Sequence, residues 1–430
     1  MKKQYRKYGP KSSRKNRPAY SLSPETFEIP VDRDQIQQII TEGLHSFATE
    51  AGRLFAIGLL EDEVSQLCGA WHESVPERQM VRHGAQNGWA VVGGQKVSIL
   101  RPRVRRTKGG SEVQLSRYAL LQQPRQLREA VLRRVVRGVS CRDYEGVVDQ
   151  VPASYGIKKS SVSRNFKAAM AGRLKKLGER RWDGERFVAI FIDGKVYAGY
   201  TMVVAVGVKA DGTKWVLGLR QGATENAEVC KDLLEDLVQR GVAVGQLTLF
   251  VLDGSQALAS GVRRVWGRYA VIQRCQVHKR SNIKRYLPEE YWAELDRRLN
   301  EAWYGNDYET SLASLKATAR WLDGINPNAA GSLREGMEET LTVVRLKLPE
   351  RLRRSLSSTN IIESAFSMAA TTSDRVKWWR RGIMRWRWCA AGLMAAEERF
   401  RRVDGYREIP QLIAALDTIG QQESPGRGTW

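Results

Sequence analysis

The sequence has no apolar run approaching the ~18 residues that a membrane-spanning helix needs. Its basic start, MKKQYRKYGPKSSRKNRP, is not followed by the apolar stretch of a secretory leader. Cysteine is sparse. The five thiols, at 68, 141, 230, 275 and 389, are odd in number and widely scattered, which excludes a disulfide framework and suits a reducing cytoplasm. There is no internal repeat. Acid is also in short supply, with 47 Asp and Glu against 70 Lys and Arg and a formal net charge of +23. A basic excess of that size points to a polyanionic partner, most often nucleic acid. With 430 residues the chain is long enough for roughly two to four domains with real cores.

The first 27 residues are basic, polar and proline-containing, and read as a disordered arm able to order on phosphates or simply to solubilise. Residues 28–120 read as an N-terminal helical and β-hairpin region that binds DNA. Within it, Ile39, Ile40, Leu44, Leu54, Phe55, Leu59 and Leu60 follow a helical spacing over residues 34–67. In WAVVGGQKVSILRPRVRR, residues 89–106, two β-prone runs flank Gly93-Gly94, a hairpin signal. Strand alternation puts Arg101, Arg103 and Arg105 on one face, where they suit phosphate contact.

Residues 121–178 read as a helix-turn-helix. QLREAVLRRVVRG is a first helix with a glycine stop, and the second starts at Ser140 and ends by Pro152. The third, IKKSSVSRNFKAAM, is expected to be capped by Ser160 or Ser161. It carries a polar and basic face of Lys158, Lys159, Ser163, Arg164 and Lys167 that fits a DNA major groove. Plain helical packing is the alternative.

The texture changes at residue 186. RFVAIFIDGKVYAG reads as a strand, and TMVVAVGVKADGTKWVLGLRQG as a hairpin turning at Asp211-Gly212. ENAEVCKDLLEDLVQRG reads as a helix closed by Gly241, QLTLFVLDG as a strand, SQALASGVRRVWG as a helix and YAVIQRC as a last strand. This β-β-β-α-β-α-β order is that of a ribonuclease H-like mixed α/β sheet, in which the fourth strand lies parallel to the central first strand after a helical crossover. Residues 186–278 are then the first part of a catalytic core, 279–356 an all-helical insertion, 357–405 the second part of the core, and 406–430 a C-terminal tail whose end, GQQESPGRGTW, is loose.

Both FVAIFIDG and TLFVLDG are apolar runs that meet Asp-Gly, so Asp193 and Asp253 are expected side by side at the strand ends, where α/β sheets build their sites. Two aspartates plus a carboxylate from a helix, Glu363 in STNIIESAF, suit two divalent ions ~3.5–4 Å apart that clamp the attacking and leaving oxygens of phosphoryl transfer. Oxygen ligands favour Mg²⁺ or Mn²⁺. Each residue also has a plainer reading: Asp193 a turn, Asp253 a helix cap, and Glu363 a capping box with Asn360.

FVAIFIDGK, TLFVLDGSQAL, QRCQVHKRSNI, STNIIESAF and RWRWCAAGLMAAEERFRR, in that order, closely resemble the mutator-type transposases of bacterial insertion sequences. The resemblance runs from about residue 30 to 405. It implies an Asp-Asp-Glu transposase with Asp193, Asp253 and Glu363 as catalytic and metal-binding residues, two Mg²⁺ or Mn²⁺ ions per site, and a helical insertion before the Glu. It implies binding to the element's terminal inverted repeats and to target DNA, 3′-end cleavage, strand transfer and a circular intermediate. It also implies a dimer or larger assembly on DNA and a cytoplasmic, nucleoid-associated bacterial protein. A nuclease or junction resolvase of the same fold, or an inactive transposase-derived DNA-binding protein, are the alternatives. The family's Cys-x-x-His element is here Cys275 to His278. A half zinc site is one reading of it. The preferred reading puts His278, with Arg274, Lys279 and Arg280, near the active site and on DNA phosphate, and leaves Cys275 a buried small residue. In DRVKWWRRGIMRWRW, Arg375, Lys377 and Trp378 suit distorted DNA, while Trp388 onward suits a core. The chain departs from the family after Asp193, where GKVYAGY is short and the usual loop is longer and more polar.

Overall fold

The computed structural model describes residues 44–71, 73, 77–123, 125–144, 158–222, 227–373, 376, 379 and 383–422. By its internal contacts the chain divides into two compact units, Met1–Arg133 with Cys141–Phe166, and Arg134–Ser140 with Lys167–Trp430.

The first unit holds α1 (Leu44–Cys68), β1 (Met80–Val92), β2 (Gln95–Arg106), β3 (Glu112–Val113), α2 (Ser116–Leu121), most of α3 (Arg125–Val136) and the start of α4 (Lys159–Gly178). The hairpin forms at Gly93-Gly94, whose φ values of 56 and 77° are the left-handed pair that a two-residue turn between twisted strands requires. Its strands begin at Met80, well before the run seen in the sequence. Ala56, Leu60, Val64 and Cys68 recur every four residues along α1 and pack with Val97 and Ile99. On β2, Pro102 and Val104 are buried while Arg101, Arg103 and Arg105 stay partly exposed. The arm, Ile39, Ile40 and most of the middle helix of the expected helix-turn-helix lie outside the described residues. The third helix, α4, is longer than expected. Val162, Phe166, Ala169, Met170 and Leu177 continue one buried stripe to its end. The amides of Ser161 and Val162 bond to Lys158 O, so the helix starts ahead of Ser160 and neither serine is its cap.

The second unit is built on one five-stranded sheet of β4 (Phe187–Tyr197), β5 (Tyr200–Lys209), β6 (Lys214–Gly222), β7 (Thr248–Leu252) and β8 (Ala270–Arg274). The spatial order is β6-β5-β4-β7-β8, with β4 central. β4 pairs antiparallel with β5 and parallel with β7, and β7 pairs parallel with β8. Between β6 and β7 runs α5 (Ala227–Gln239), and between β7 and β8 runs α6 (Gln256–Trp266). Ile190, Ile192, Val203 and Ala205 from one sheet face meet Leu233, Leu237, Leu258 and Val262 in a common core. Gly241, at φ 97°, stops the run after α5 as expected, and Asp211-Gly212 is a turn in which Asp211 accepts from Thr213 N at 2.9 Å.

After α7 (Gln276–Lys284) come α8 (Trp292–Trp303), α9 (Tyr308–Asp323), α10 (Pro327–Arg334), α11 (Thr342–Arg345) and α12 (Glu350–Leu356). These helices bury their own core around Leu299, Trp303, Leu315, Leu322 and Leu333, so the region is helical as read. The chain then returns to the sheet with α13 (Asn360–Ser373) and α14 (Met384–Glu397). The expected C-terminal tail is helical over much of its length: α15 (Ile409–Gln422) forms there because Ile409, Leu412 and Leu416 make a buried stripe at helical spacing.

β4 fills the strand read over RFVAIFIDGKVYAG, so Asp193 is not at its end. It runs on to Tyr197 and turns at Ala198-Gly199, because β5 stays paired with it through Asp193↔Val204, Lys195↔Met202 and Tyr197↔Tyr200. What ends at Asp193 is the parallel pairing with β7, whose last step is Ile192↔Leu252.

Candidate active site

The Ile192↔Leu252 register puts Asp193 and Asp253 one residue beyond the last paired step of two neighbouring parallel strands. The sequence cause is plain. Six consecutive β-prone residues, Phe187 to Ile192, form a fully buried central strand, and the first polar residue after them falls at the sheet's carboxyl edge. Asp193 is only 4 % exposed. Asp253 is half-buried and accepts a 2.8 Å hydrogen bond from Ser255 N. The cap of α6 is Ser255, whose side chain accepts from Leu258 N, so Asp253 is not the cap.

β8 ends beside this edge and hands over to α7. Cys275 N donates to Leu252 O at 2.7 Å, which pins the start of α7 to the last residue of β7. His278 therefore lies in the first turn of α7, over the carboxylates. Glu363 arrives from α13, after the helical insertion. Two links fasten that helix to α7: Gln276 N donates to Ser357 O at 3.0 Å, and the buried Thr359 bonds to both Cys275 and His278. The amides of Ile362 and Glu363 bond to Thr359 O. The helix thus starts from Thr359, and the capping-box reading with Asn360 fails because Glu363 sits one position too far along.

One ligand atom each from Asp193, His278 and Glu363 lie within 4.8 Å of one another, and no other such group occurs among the described residues. His278 Nε2 is 3.4 Å from Glu363 Oε1, and its Nδ1 is 3.3 Å from Thr359 Oγ1. The imidazole is pushed up to about 9, first by its hydrogen bond with Cys275 and then by the negative charges of Cys275, Asp193 and Asp253, which outweigh its burial. Burial pushes the Cys275 thiol up, but hydrogen bonds from His278 and Thr359 more than offset it, leaving it below its ordinary value. Cys275 is fully buried, as expected for a small core residue. It is no part of the group formed by Asp193, His278 and Glu363.

The cations expected to line this site on DNA are a correction. Lys279 is 1 % exposed, and its Nζ donates to Ser332 O and Glu335 O. Arg274 is 6 % exposed, donates to Glu335 O at 3.0 Å, and lies flat between Gly254 and Gly336. Both tie the sheet edge to the helical insertion, and neither presents its charge to solvent. Arg280 is held by Asp296, Asn300 and the ring of Trp303. His278 spends both ring nitrogens on protein groups. Elsewhere Lys158, Lys159, Arg164 and Lys167 are exposed and Ser163 is half-buried, while Arg101 and Arg103 both pair with Glu112. Arg375, Lys377 and Trp378 lie outside the described residues.

Sequence reasoning placed the three carboxylates at one edge but missed that His278 joins Asp193 and Glu363 more closely than Asp253 does. The signal was present: four residues after the last strand of an α/β sheet, a histidine in the first turn of the next helix faces the carboxyl edge.

Residues 29–371 match the profile of the family described as Transposase, Mutator family. The chain is similar to the transposase for insertion sequence element ISRM5 of Rhizobium meliloti, 26 % identical over 317 residues that cover 71 % of this chain and 76 % of the relative. It is 27 % identical over 295 residues to the transposase for insertion sequence element IS6120 of Mycolicibacterium smegmatis, covering 65 % and 86 %. The transposase for insertion sequence element IS1081 of Mycobacterium tuberculosis is 23 % identical over 391 residues, covering 87 % and 90 %.

Proposed function

Because the chain belongs to the Mutator family of transposases, we propose that it binds the terminal inverted repeats of its own insertion sequence, cuts the DNA strand to free a 3′-OH at each end, and transfers that end to target DNA. The observation that carries this reading is the edge where Asp193, Asp253 and Glu363 converge, with His278 against Glu363. The sheet order, with a central first strand flanked by an antiparallel pair and a parallel pair, supports a ribonuclease H-like core.

The donor set fits a divalent cation. Two carboxylates supply hard oxygen ligands, which suit Mg²⁺ or Mn²⁺, and the imidazole adds a nitrogen that Mn²⁺ accepts more readily. Asp193, Glu363 and His278 would hold one such ion, and Asp253 would join Asp193 in holding the second. When bound, the ions supply Lewis-acid stabilisation of charge on the phosphoryl oxygens and on the attacking and leaving groups. The chain's own residues do the rest. Asp193 is fixed by the central strand and is itself largely closed to bulk water. Thr359 and Cys275 orient the His278 ring. As a cation His278 offsets the carboxylate charge, and as a neutral ring it offers a ligand.

DNA ends are expected on the face of α4 and its start that carries exposed Lys158, Lys159, Arg164 and Lys167 with half-buried Ser163, and on the Arg101, Arg103 and Arg105 face of β2. Two ends must be held together, so the working form on DNA is a dimer or larger. The test is a cleavage and joining assay on labelled DNA from the gene's own flanks with Mg²⁺ or Mn²⁺, comparing wild type with Asp193→Asn, Asp253→Asn and Glu363→Gln. Wild type is expected to nick and join, and each variant to bind DNA but lose both steps by at least about 10³-fold. Nicking without joining favours the nuclease reading. Full activity in the variants sinks this site.

A further inference from the structure

Arg274, Lys279 and Arg280 are spent inside the protein, yet a polyanionic strand must be led to Asp193. The continuation of β4 past Asp193 offers a route. In a strand, alternate residues share a face, and directly paired residues of neighbouring strands share one too. Asp193 and Lys195 therefore face the same side, and the Tyr197↔Tyr200 pair puts Tyr200 on that side at the tip. Lys195 is exposed, and among the described residues its side chain has no ion-pair or hydrogen-bond partner. Tyr200 is 38 % exposed, with the Arg385 guanidinium 4.6 Å from its ring centre. Arg385 Nε also donates to Ala198 O at 2.7 Å, so one cation both stiffens the turn and adds charge to the tip. On the same face Tyr197 is buried and packs edge-on to Trp379 at 5.7 Å, which anchors the ribbon.

We propose that this ribbon, Lys195 with Tyr200 and Arg385, is a track for the DNA strand flanking the cleaved phosphate, with Lys195 on a backbone phosphate and Tyr200 stacked on an unpaired base. The inference rests on the transposase reading. Lys195 is two strand residues beyond Asp193, about 7 Å, and the tip is about 13 Å beyond it. At 3.4 Å per nucleotide step these correspond to roughly two and four nucleotides from the cut. A cation followed by an aromatic ring with arginine over it is the arrangement that grips single-stranded nucleic acid without reading its sequence. The pairing of β4 with β5 up to Tyr197↔Tyr200 holds the track in place.

The experiment uses the full chain and a labelled duplex of the gene's own flanking end, with 5-iodouracil two to four nucleotides from the cut. Wild type is expected to cleave and to cross-link to the ribbon. Lys195→Ala is expected to raise KM about tenfold with kcat within about threefold, and to lower the salt slope of binding by about 1. Lys195→Arg should restore both. Tyr200→Ala should lose the cross-link, and its cleavage should recover on a duplex whose flank is already mismatched. Unchanged thermal unfolding in all three variants separates these effects from misfolding. If wild type cleaves and Lys195→Ala matches it in KM and salt slope, or the cross-links map off the ribbon, the track is wrong and the transposase reading stands. If the variants alter only self-association, the ribbon is an interface with a second copy and the proposal is overturned. If wild type does not cleave, both readings fall.

Discussion

His278 Nε2 lies 3.4 Å from Glu363 Oε1, joining the first turn of α7 to the first turn of α13 across the carboxyl edge of the sheet. This one contact connects the end of the strand series to the helix that returns after the insertion. His278→Ala removes both a neighbour of Glu363 and a potential metal ligand. Cleavage is expected to fall about 10–100-fold, with a higher divalent-ion concentration for half-maximal activity, and His278→Gln should fall less. A metal titration of each variant checks this, and an unchanged half-maximal concentration in His278→Ala removes the residue from the site.

Gly392 lies on α14 where it crosses α13. A Cβ there would strike the backbone and side chain of Ala369. Backbone cannot yield as a flexible side chain can. Gly392→Ala is expected to push α13 outward and cost about 1–3 kcal/mol. Since α13 carries Glu363, activity should fall along with the unfolding midpoint. Urea melts beside cleavage rates test the link, and a stable but inactive variant would point to displacement of Glu363 with little global cost.

Gly254 follows Asp253 at φ 105°, and a Cβ there would lie 2.5 Å from Arg274 Nε. Gly254→Ala is therefore strained in backbone and crowded in space, for about 1–3 kcal/mol. Because the strain sits beside Asp253, cleavage is expected to fall more than at Gly245, where nothing lies within 4 Å of an added Cβ. Gly245→Ala is the matched control, and equal losses in the two variants would dissociate Gly254 from the site.

Burial pushes the thiols of Cys230 and Cys389 up to about 12. An unfolded thiol ionises near 9, so above that pH the native state holds more protons than the unfolded one. Stability is then fully present below pH 9 and declines as pH rises toward 12. Each thiol should cost about 1 kcal/mol between pH 9 and 10. Urea midpoints over that range are expected to drop in wild type and to drop less in Cys230→Ala and Cys389→Ala. Parallel pH profiles in all three would refute the assignment.

Much of the second unit was readable because its signals are local. Runs such as FVAIFI and TLFVL can only be buried strands, and Gly241 and Asp211-Gly212 act through backbone conformation alone. The strand over RFVAIFIDGKVYAG was readable, but not that its pairing with β5 outlasts its pairing with β7, because partners far along the chain set where each ladder stops. The helix over residues 409–422 was obscured by the polar residues that follow it. Charge was the least legible property. Lys279 and Arg274 look like any basic pair, and only the carbonyls and glycines around them make them buried struts.

By itself, the sequence determined which residues are carboxylates, where the apolar runs break, and how strongly the chain attracts a polyanion, because these depend on residue type and local spacing. The tertiary structure alone decided which of those residues meet. The Ile192↔Leu252 register set Asp193 beside Asp253, and Thr359, bonding across to Cys275 and His278, brought Glu363 to them from beyond the insertion. Proximity between residues so far apart along the chain comes from pairing and packing, and no local pattern encodes it.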